Sequence, residues 1–376
     1  MMEEEKKDIE IVENSEEKKP TSRKKTIGLI LIVLLITVVV FVIFSSFNDL
    51  GKTWEQICNM DFRFLGIGIA LVVLYLISWP LSLMILSRRN LSKSKIKDNF
   101  LIGGSEHFFN SITPFASGGQ PIQIYLYTQN GMSAANATGI VLSNFIAFMI
   151  ATNAFAVASL FYFDRFTVNF NGSTIWIVIL GFTMNLLTLA FIIALASSKK
   201  LGNLLIKAFA VLGKIKFLTK VIEKNLPTFE QYCSNFQLAS KEIMSHKLDF
   251  LLAIVARGVS LLFYYSIPFF ILLGLGISLE FTDLPFIILA SSFTITTMVW
   301  VPTPGGTGGI EFAFTMIVSV FVIGLTDSEL ANITMASMII WRFLTYYLLM
   351  FLSAIEYIIY EIIIKKRRKR SVKEND

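Results

Sequence analysis

Residues 300–312 read WVPTPGGTGGIEF: two prolines and four glycines, then a carboxylate at Glu311. The stretch joins two apolar arms, about 284–300 and 310–325, in a chain that is 54% hydrophobic. Proline removes an amide donor and glycine loosens the backbone, so the two arms cannot be one continuous helix. Each arm is marginal for crossing a bilayer alone, which takes about 20 apolar residues. A second stretch of the same kind, TPFASGGQP at 113–121, breaks the segment 99–131, and neither break contains Lys or Arg. The simplest reading is a pair of re-entrant helical hairpins, one entering from each face. Two ordinary pairs of spans with tight turns are the alternative. Irregular backbone at membrane depth survives only where protein buries it or where it lines a wet cavity. Broken segments in corresponding positions of two halves point to a transporter's binding site.

Outward from the breaks, the chain alternates spans and loops. Residues 27–44 are apolar without a charge. A first span over about 26–47 is expected rather than a signal peptide, because the run is long and no small-residue cleavage site follows. Further spans are expected at about 64–86, 133–163, 175–196, 249–273 and 332–364. Arg23, Lys24 and Lys25, then Arg88, Arg89, Lys93, Lys95 and Lys97, then Lys199 and Lys200, and finally the KKRRKR cluster at 365–370 all fall on one side of this arrangement. The loops on the other side are poor in basic residues, which makes the basic side cytoplasmic. The expected architecture is an all-α integral membrane protein: a polytopic bundle of about six full spans plus two re-entrant or broken hairpins, both termini cytoplasmic. A charged tail (1–25) precedes the membrane domain (26–364), and a basic tail (365–376) follows it. The tail cluster fits anionic headgroups, or a plain stop-transfer anchor. Within the domain, 199–247 is rich in lysine with apolar residues at helical spacing. It reads as amphipathic helices lying in the membrane interface, or as a helix pair packed on the bundle.

Several function classes drop out. The net charge of +6 resides in loops rather than on one basic face, so no nucleic acid is expected unless lysyl-tRNA is a substrate. Cys58 and Cys233 fall on opposite sides and set no disulfide framework. No GxxxxGK[ST], HExxH, GxSxG or Cys/His metal spacing occurs, and no cofactor or metal is expected. The longest hydrophilic stretch, about 199–247, is too short for a soluble catalytic domain.

The chemistry concentrates at the breaks. A helix that restarts after a break presents unpaired amides and a positive dipole end, which attract phosphate or carboxylate. New helices are expected near Pro121 and near Gly309. Five ionisable residues fall in the hydrophobic zone: Glu106, His107, Arg257, Glu311 and Arg342. At that depth each costs about 2.5–3.5 kcal/mol on insertion scales, which makes it a functional candidate with a partner. Glu311–Arg342 and Glu106–Arg257 are the expected pairs, either as structural ties or as a site where an anionic ligand competes for the arginine. His107 is a titrating group or a satisfied core histidine. Asn110, Thr113, Gly118, Gly119 and Gln123 at the first break, with Gly305, Gly306 and Gly308 at the second, complete the candidate binding set.

At these motifs the chain resembles the lysylphosphatidylglycerol synthase transmembrane-domain family, also called flippase-like domain proteins. The resemblance rests on EHFFNSITPFASGGQPIQIYLY (106–127), PTPGGTGGIE (302–311) and WRFLTYY (341–347), and it covers about 26–364. In long family members a soluble domain moves lysine from lysyl-tRNA to phosphatidylglycerol. The membrane part is implicated in carrying the product to the outer leaflet, which blunts cationic antimicrobial peptides. The resemblance implies a short form without the aminoacyltransferase domain, in the plasma membrane of a bacterium. Its expected function is to move a phospholipid such as lysyl-phosphatidylglycerol, or a lipid-linked precursor, between leaflets. A phosphatidylglycerol lysyltransferase and a non-catalytic partner of a separate lipid-modifying enzyme are the alternatives; a homo-oligomer stays open.

Overall fold

The computed structural model describes residues 50–89, 98–113, 116–166, 172–215, 219–298, 309–321 and 326–375. The charged tail, the first span, residues 90–97 and the second break with Gly305, Gly306 and Gly308 lie outside the described residues. No strand occurs among those described. The helices are α1 (Leu50–Cys58), α2 (Phe62–Ser87), α3 (Asp98–Gly104), α4 (Glu106–Ser111), α5 (Gly119–Gln129), α6 (Ala134–Ser159), α7 (Gly172–Ser197), α8 (Lys199–Leu212), α9 (Thr219–Ser245), α10 (Lys247–Gly274), α11 (Leu284–Met298), α12 (Gly309–Phe321), α13 (Asp327–Arg342) and α14 (Leu349–Asn375). A 3₁₀ turn at Leu160–Tyr162 and a last turn at Phe163–Phe166 prolong α6, and a wide π turn at Phe343–Leu348 joins α13 to α14.

Local chemistry sets the starts. The Asp61 side chain accepts from the Arg63 amide ahead of α2, and Ser133 accepts from the Asn136 amide ahead of α6. Thr326 and Glu329 form a reciprocal capping box on α13. Each satisfies an amide that the first turn leaves open.

Six helices among the described residues are long and apolar enough to cross a membrane: Phe62–Ser87, Ala134–Arg165, Val178–Ser197, Lys247–Gly274, Phe281–Met298 and Ser328–Arg367. Five match expected spans. The sixth, Phe281–Met298, is the leading arm of the second broken segment, lengthened by the 3₁₀ turn Phe281–Asp283. The first broken segment supplies no such helix. At 1.5 Å per residue α3 with α4 reaches about 20 Å and α5 about 16 Å, short of a hydrocarbon core of about 30 Å.

The bundle is built around α2 and α10, which pack along each other; α6 contacts both, and α11 packs on α6, α10 and α7. One core cluster joins Trp79, Tyr265, Phe293, Phe314 and Trp341 from five helices, and a second gathers Leu83, Ile102, Leu126 and Ile140 around the first hairpin. On α7 the pattern inverts: only 17% of its apolar window is buried, and Trp176, Leu180 and Leu187 face outward, as suits a helix solvated by lipid.

In the lysine-rich insert, α9 packs on α6 and α8 on α9. Gln237 Nε2 donates to the carbonyls of Leu195 and Ser198 at 3.0 Å each, tying α9 to the end of α7. Thus α9 docks on the bundle, while α8 leaves Leu204, Val211 and Leu212 exposed beside exposed Lys207 and Lys214. The backbone of the basic cluster at 365–370 continues α14 as helix. Buried acids hold the basic ends together: Arg88 and Arg89 both pair with Asp249 at the start of α10, and Arg367 pairs with Asp98 at the start of α3.

Candidate functional site

At the first break the chain leaves α4 at Ser111 and restarts at Gly119. Ala116 turns it with φ of 48°, a left-handed conformation that costs a non-glycine residue of order 1–2 kcal/mol. The amide of Gly118 donates to Thr113 Oγ1 and that of Gly119 to Asn110 Oδ1, both at 2.8 Å. The amides of Gly118 and Gly119 are therefore taken up by the break's own side chains rather than presented to a headgroup, since a buried amide takes the nearest acceptor. The glycines serve close approach. A Cβ on Gly118 would stand 2.6 Å from the Phe109 carbonyl oxygen, and one on Gly119 2.5 Å from Glu106 Cγ. Glu106 itself thus occupies the positive end of α5.

Glu106 is buried and heavily engaged. Its Oε2 accepts from Trp79 Nε1 at 2.9 Å and Gln123 Nε2 at 3.1 Å; its Oε1 accepts from Gln120 Nε2 at 3.4 Å. Arg257 Nη2 lies 3.7 Å from Oε2. The Arg257 guanidinium stacks over Trp79, 3.7 Å from the ring centroid, and its Nε donates to Asn144 Oδ1 at 3.3 Å. Asn144 Oδ1 also accepts from Ser82 Oγ at 2.6 Å. Arg257 is 1% exposed. It braces Glu106 and Trp79 from behind.

Glu311 stands in the first turn of α12, where the helix dipole favours a carboxylate. Its Oε1 lies 2.6 Å from Arg342 Nε in an ion contact whose N–H is not aimed along the line, and Arg342 Nη2 is buried without a hydrogen-bond partner. Arg342 is the last residue of α13, and the π turn begins after it. Such a wide turn shifts the helix face and recurs at functional sites; here it brings Thr345 and Tyr346 to the same cavity as Arg342. The Phe314 and Trp341 rings stack at 4.5 Å and 5°, clamping α12 against α13.

Between the two broken segments lies a cavity of about 290 Å³. Glu106, His107, Asn110 and Gln120 reach it from the first segment, Thr296 and Ile310 from the second, and Arg342 from the last span. Tyr75, Trp79, Tyr264 and Tyr346 form much of its wall. His107 packs against the Tyr75 and Trp79 rings at 5.1 and 4.7 Å, its Nε2 without a partner. The structure thus brings six expected residues together: Glu106, His107 and Asn110 at the cavity with Arg342, and Arg257 and Glu311 behind their partners. Thr113, Gly118, Gly119 and Gln123 do not line it; they hold the first break in shape. The cavity joins a cationic donor with a free N–H face to a carboxylate, so it can bind a phosphate at Arg342 and a hydroxyl or ammonium near Glu106.

Sequence reasoning missed the neutral participants. Trp79, Gln120 and Asn144 organise the Glu106 centre. Asn153 Nδ2 donates to Asn185 Oδ1, and Asn185 Nδ2 to the Thr296 carbonyl, each at 3.4 Å, near the end of α11. The signal was present as amides inside apolar runs, but a search for charges passes over it. Glu356, an acid inside the last span, was also passed over.

The chain is 25% identical over 315 residues to a UPF0104 membrane protein of Archaeoglobus fulgidus, a match covering 81% of this chain and 88% of the relative. The family model described as "Lysylphosphatidylglycerol synthase TM region" matches residues 28–353, and the chain belongs to that family.

Proposed function

We propose that this protein moves a phospholipid or lipid-linked precursor, such as lysyl-phosphatidylglycerol, between the leaflets of a cell membrane, its headgroup passing through the cavity between the two broken segments. The observation that carries this reading is Arg342: a buried guanidinium with an unpartnered Nη2, facing a cavity of about 290 Å³. That volume is about twice that of a ~150 Å³ protein cavity that holds benzene. It suits a phosphate-bearing headgroup and leaves the acyl chains in the bilayer. Ion pairing with Glu311 keeps the arginine in place until a phosphate competes for it, and the aromatic wall covers the headgroup's carbon skeleton.

The test is lipid movement in proteoliposomes holding fluorescent phosphatidylglycerol, lysyl-phosphatidylglycerol or phosphatidylethanolamine. Wild type is compared with Arg342→Ala and Glu311→Gln, folding being checked by size exclusion. Movement by wild type and its loss in both variants is the expected result. No movement of any lipid, with or without a proton gradient, would reject the reading in favour of a membrane partner for a separate lipid-modifying enzyme.

A further inference from the structure

The last span laces the first hairpin through one face. Tyr346 Oη donates to the Ser111 carbonyl at 2.9 Å, Ser353 Oγ to that of Gly104, and Tyr360 Oη to that of Leu126 at 2.8 Å. Ser353 Oγ also accepts from the Phe108 amide at 2.8 Å. The donors recur every seven residues, about two helical turns, so they form one stripe. Glu356 belongs to the same stripe, three residues beyond Ser353 and four before Tyr360. Its carboxyl packs on Gly104 so closely that a Cβ there would stand 1.7 Å from Oε2, and Oε2 is buried with no hydrogen-bond partner.

Among the described residues no ion pair is made by this acid. Among the described side chains of α14 the ion pairs are Lys365 with Glu361 and Arg367 with Asp98. On α3 the only titratable group is Asp98, held by Arg367. On α4 they are Glu106, bonded to Trp79 and near Arg257, and His107, packed on Tyr75 and Trp79. The neighbouring phenols are Tyr346 and Tyr360, both donating to carbonyls, Tyr347, packed on Tyr346, and Tyr357, edge-on to Phe109. Glu356 is half-buried with one carboxyl oxygen enclosed; a carboxylate whose enclosed oxygen meets no cation or donor is costly, whereas a carboxylic acid is neutral and itself a donor. Glu356 lies seven residues past Leu349, which lines the cavity, hence about 10 Å further along the helix toward the basic end.

We propose that Glu356 is a proton-binding site: it holds a proton while the first hairpin packs on α14 and releases it to water when the two separate, coupling hairpin movement to a proton gradient. The O–H bond of the acid breaks to leave a hydrated carboxylate on Glu356 and one proton passed to water, and rebinding of the proton restores the packed state. The coupling rests on the translocase reading; the proton site does not.

Two measurements separate them. The first treats the purified full-length protein with dicyclohexylcarbodiimide, which reacts with protonated carboxyls in apolar surroundings, and maps the adduct by peptide mass. The expected adduct falls on Glu356, not on the arginine-paired Glu106 or Glu311. It fades as pH is raised and is absent in Glu356→Gln. Gly104→Ala, which displaces the carboxyl, is expected to lower labelling severalfold while leaving Glu356 present. Absence of labelling at Glu356, or labelling independent of pH, would overturn the proton site whatever the lipid assay shows. The second adds a proton gradient to the proteoliposomes. Stimulation of lipid movement in wild type that falls to none in Glu356→Gln is expected. Equal stimulation in both would overturn the coupling.

Discussion

Arg257 and Arg342 are each set against a glutamate, yet their surroundings differ. Arg257 stacks on Trp79, donates to Asn144 and stands against Glu106; its Nη1 is buried without a hydrogen-bond partner, but the residue does not reach the cavity wall. Arg342 lines the cavity, its Nη2 buried without a hydrogen-bond partner and its Nε in ion contact with Glu311. Removing one member of a buried pair leaves an uncompensated charge, typically costing about 3–5 kcal/mol, whereas removing both is far milder. Arg342→Ala is thus expected to be strongly destabilising and Arg342→Ala with Glu311→Ala to recover much of the loss, read as thermal unfolding in detergent. Equal destabilisation by the single and double variants would contradict the pairing. Arg257→Lys is expected to fail as a replacement, because an ammonium cannot both stack on Trp79 and donate to Asn144 in the guanidinium's planar geometry; a wild-type melting temperature would refute this.

Broken elements persist when their loose ends are tied. The end of α11 is met by Asn185, while Gly181 of α7 passes so near that a Cβ would stand 1.9 Å from the Thr297 carbonyl oxygen. The start of α5 is tied by Asn110 and Thr113. Loss of a side chain that caps a helix amide costs ~1 kcal/mol, so Asn110→Ala is expected to lower stability by about that amount, with Asn110→Asp retaining the acceptor and most of the stability. Denaturant unfolding in detergent distinguishes them; identical losses would show that the cap is not the contribution of Asn110.

For the whole molecule, the buried acids Asp98 and Asp249 collect basic residues from α14 and from the end of α2, and the positive-inside pattern makes that end the expected cytoplasmic one. The chain's two cysteines test the orientation. Cys58 is exposed at the last residue of α1, and Cys233 is partly buried in α9. A membrane-impermeant maleimide added to intact cells is expected to label Cys58 alone. Inside-out vesicles are expected to expose Cys233, which reacts slowly because burial raises its thiol above the ordinary value and depletes the thiolate. Labelling of Cys233 in intact cells would reverse the assignment.

The sequence by itself determined the elements: which segments are helical and apolar, where Gly and Pro interrupt them, and which charges lie at depth. These are local properties, carried by hydropathy over a span length and by residues that remove donors or open the backbone. It also pointed to both arginine–glutamate pairs, because few charges lie at that depth and each needs a partner. Only the tertiary structure decided the rest. Whether Arg342 or Arg257 faces the cavity depends on side-chain directions across helices far apart in sequence. So does the capping of Gly118 and Gly119 by Thr113 and Asn110, and so does the placing of Glu356 on Gly104. A carboxylate at the positive end of α5 was legible in kind, since such an end attracts an anion. That the anion is the chain's own Glu106 follows from how α4 folds back on α5, which no local pattern encodes.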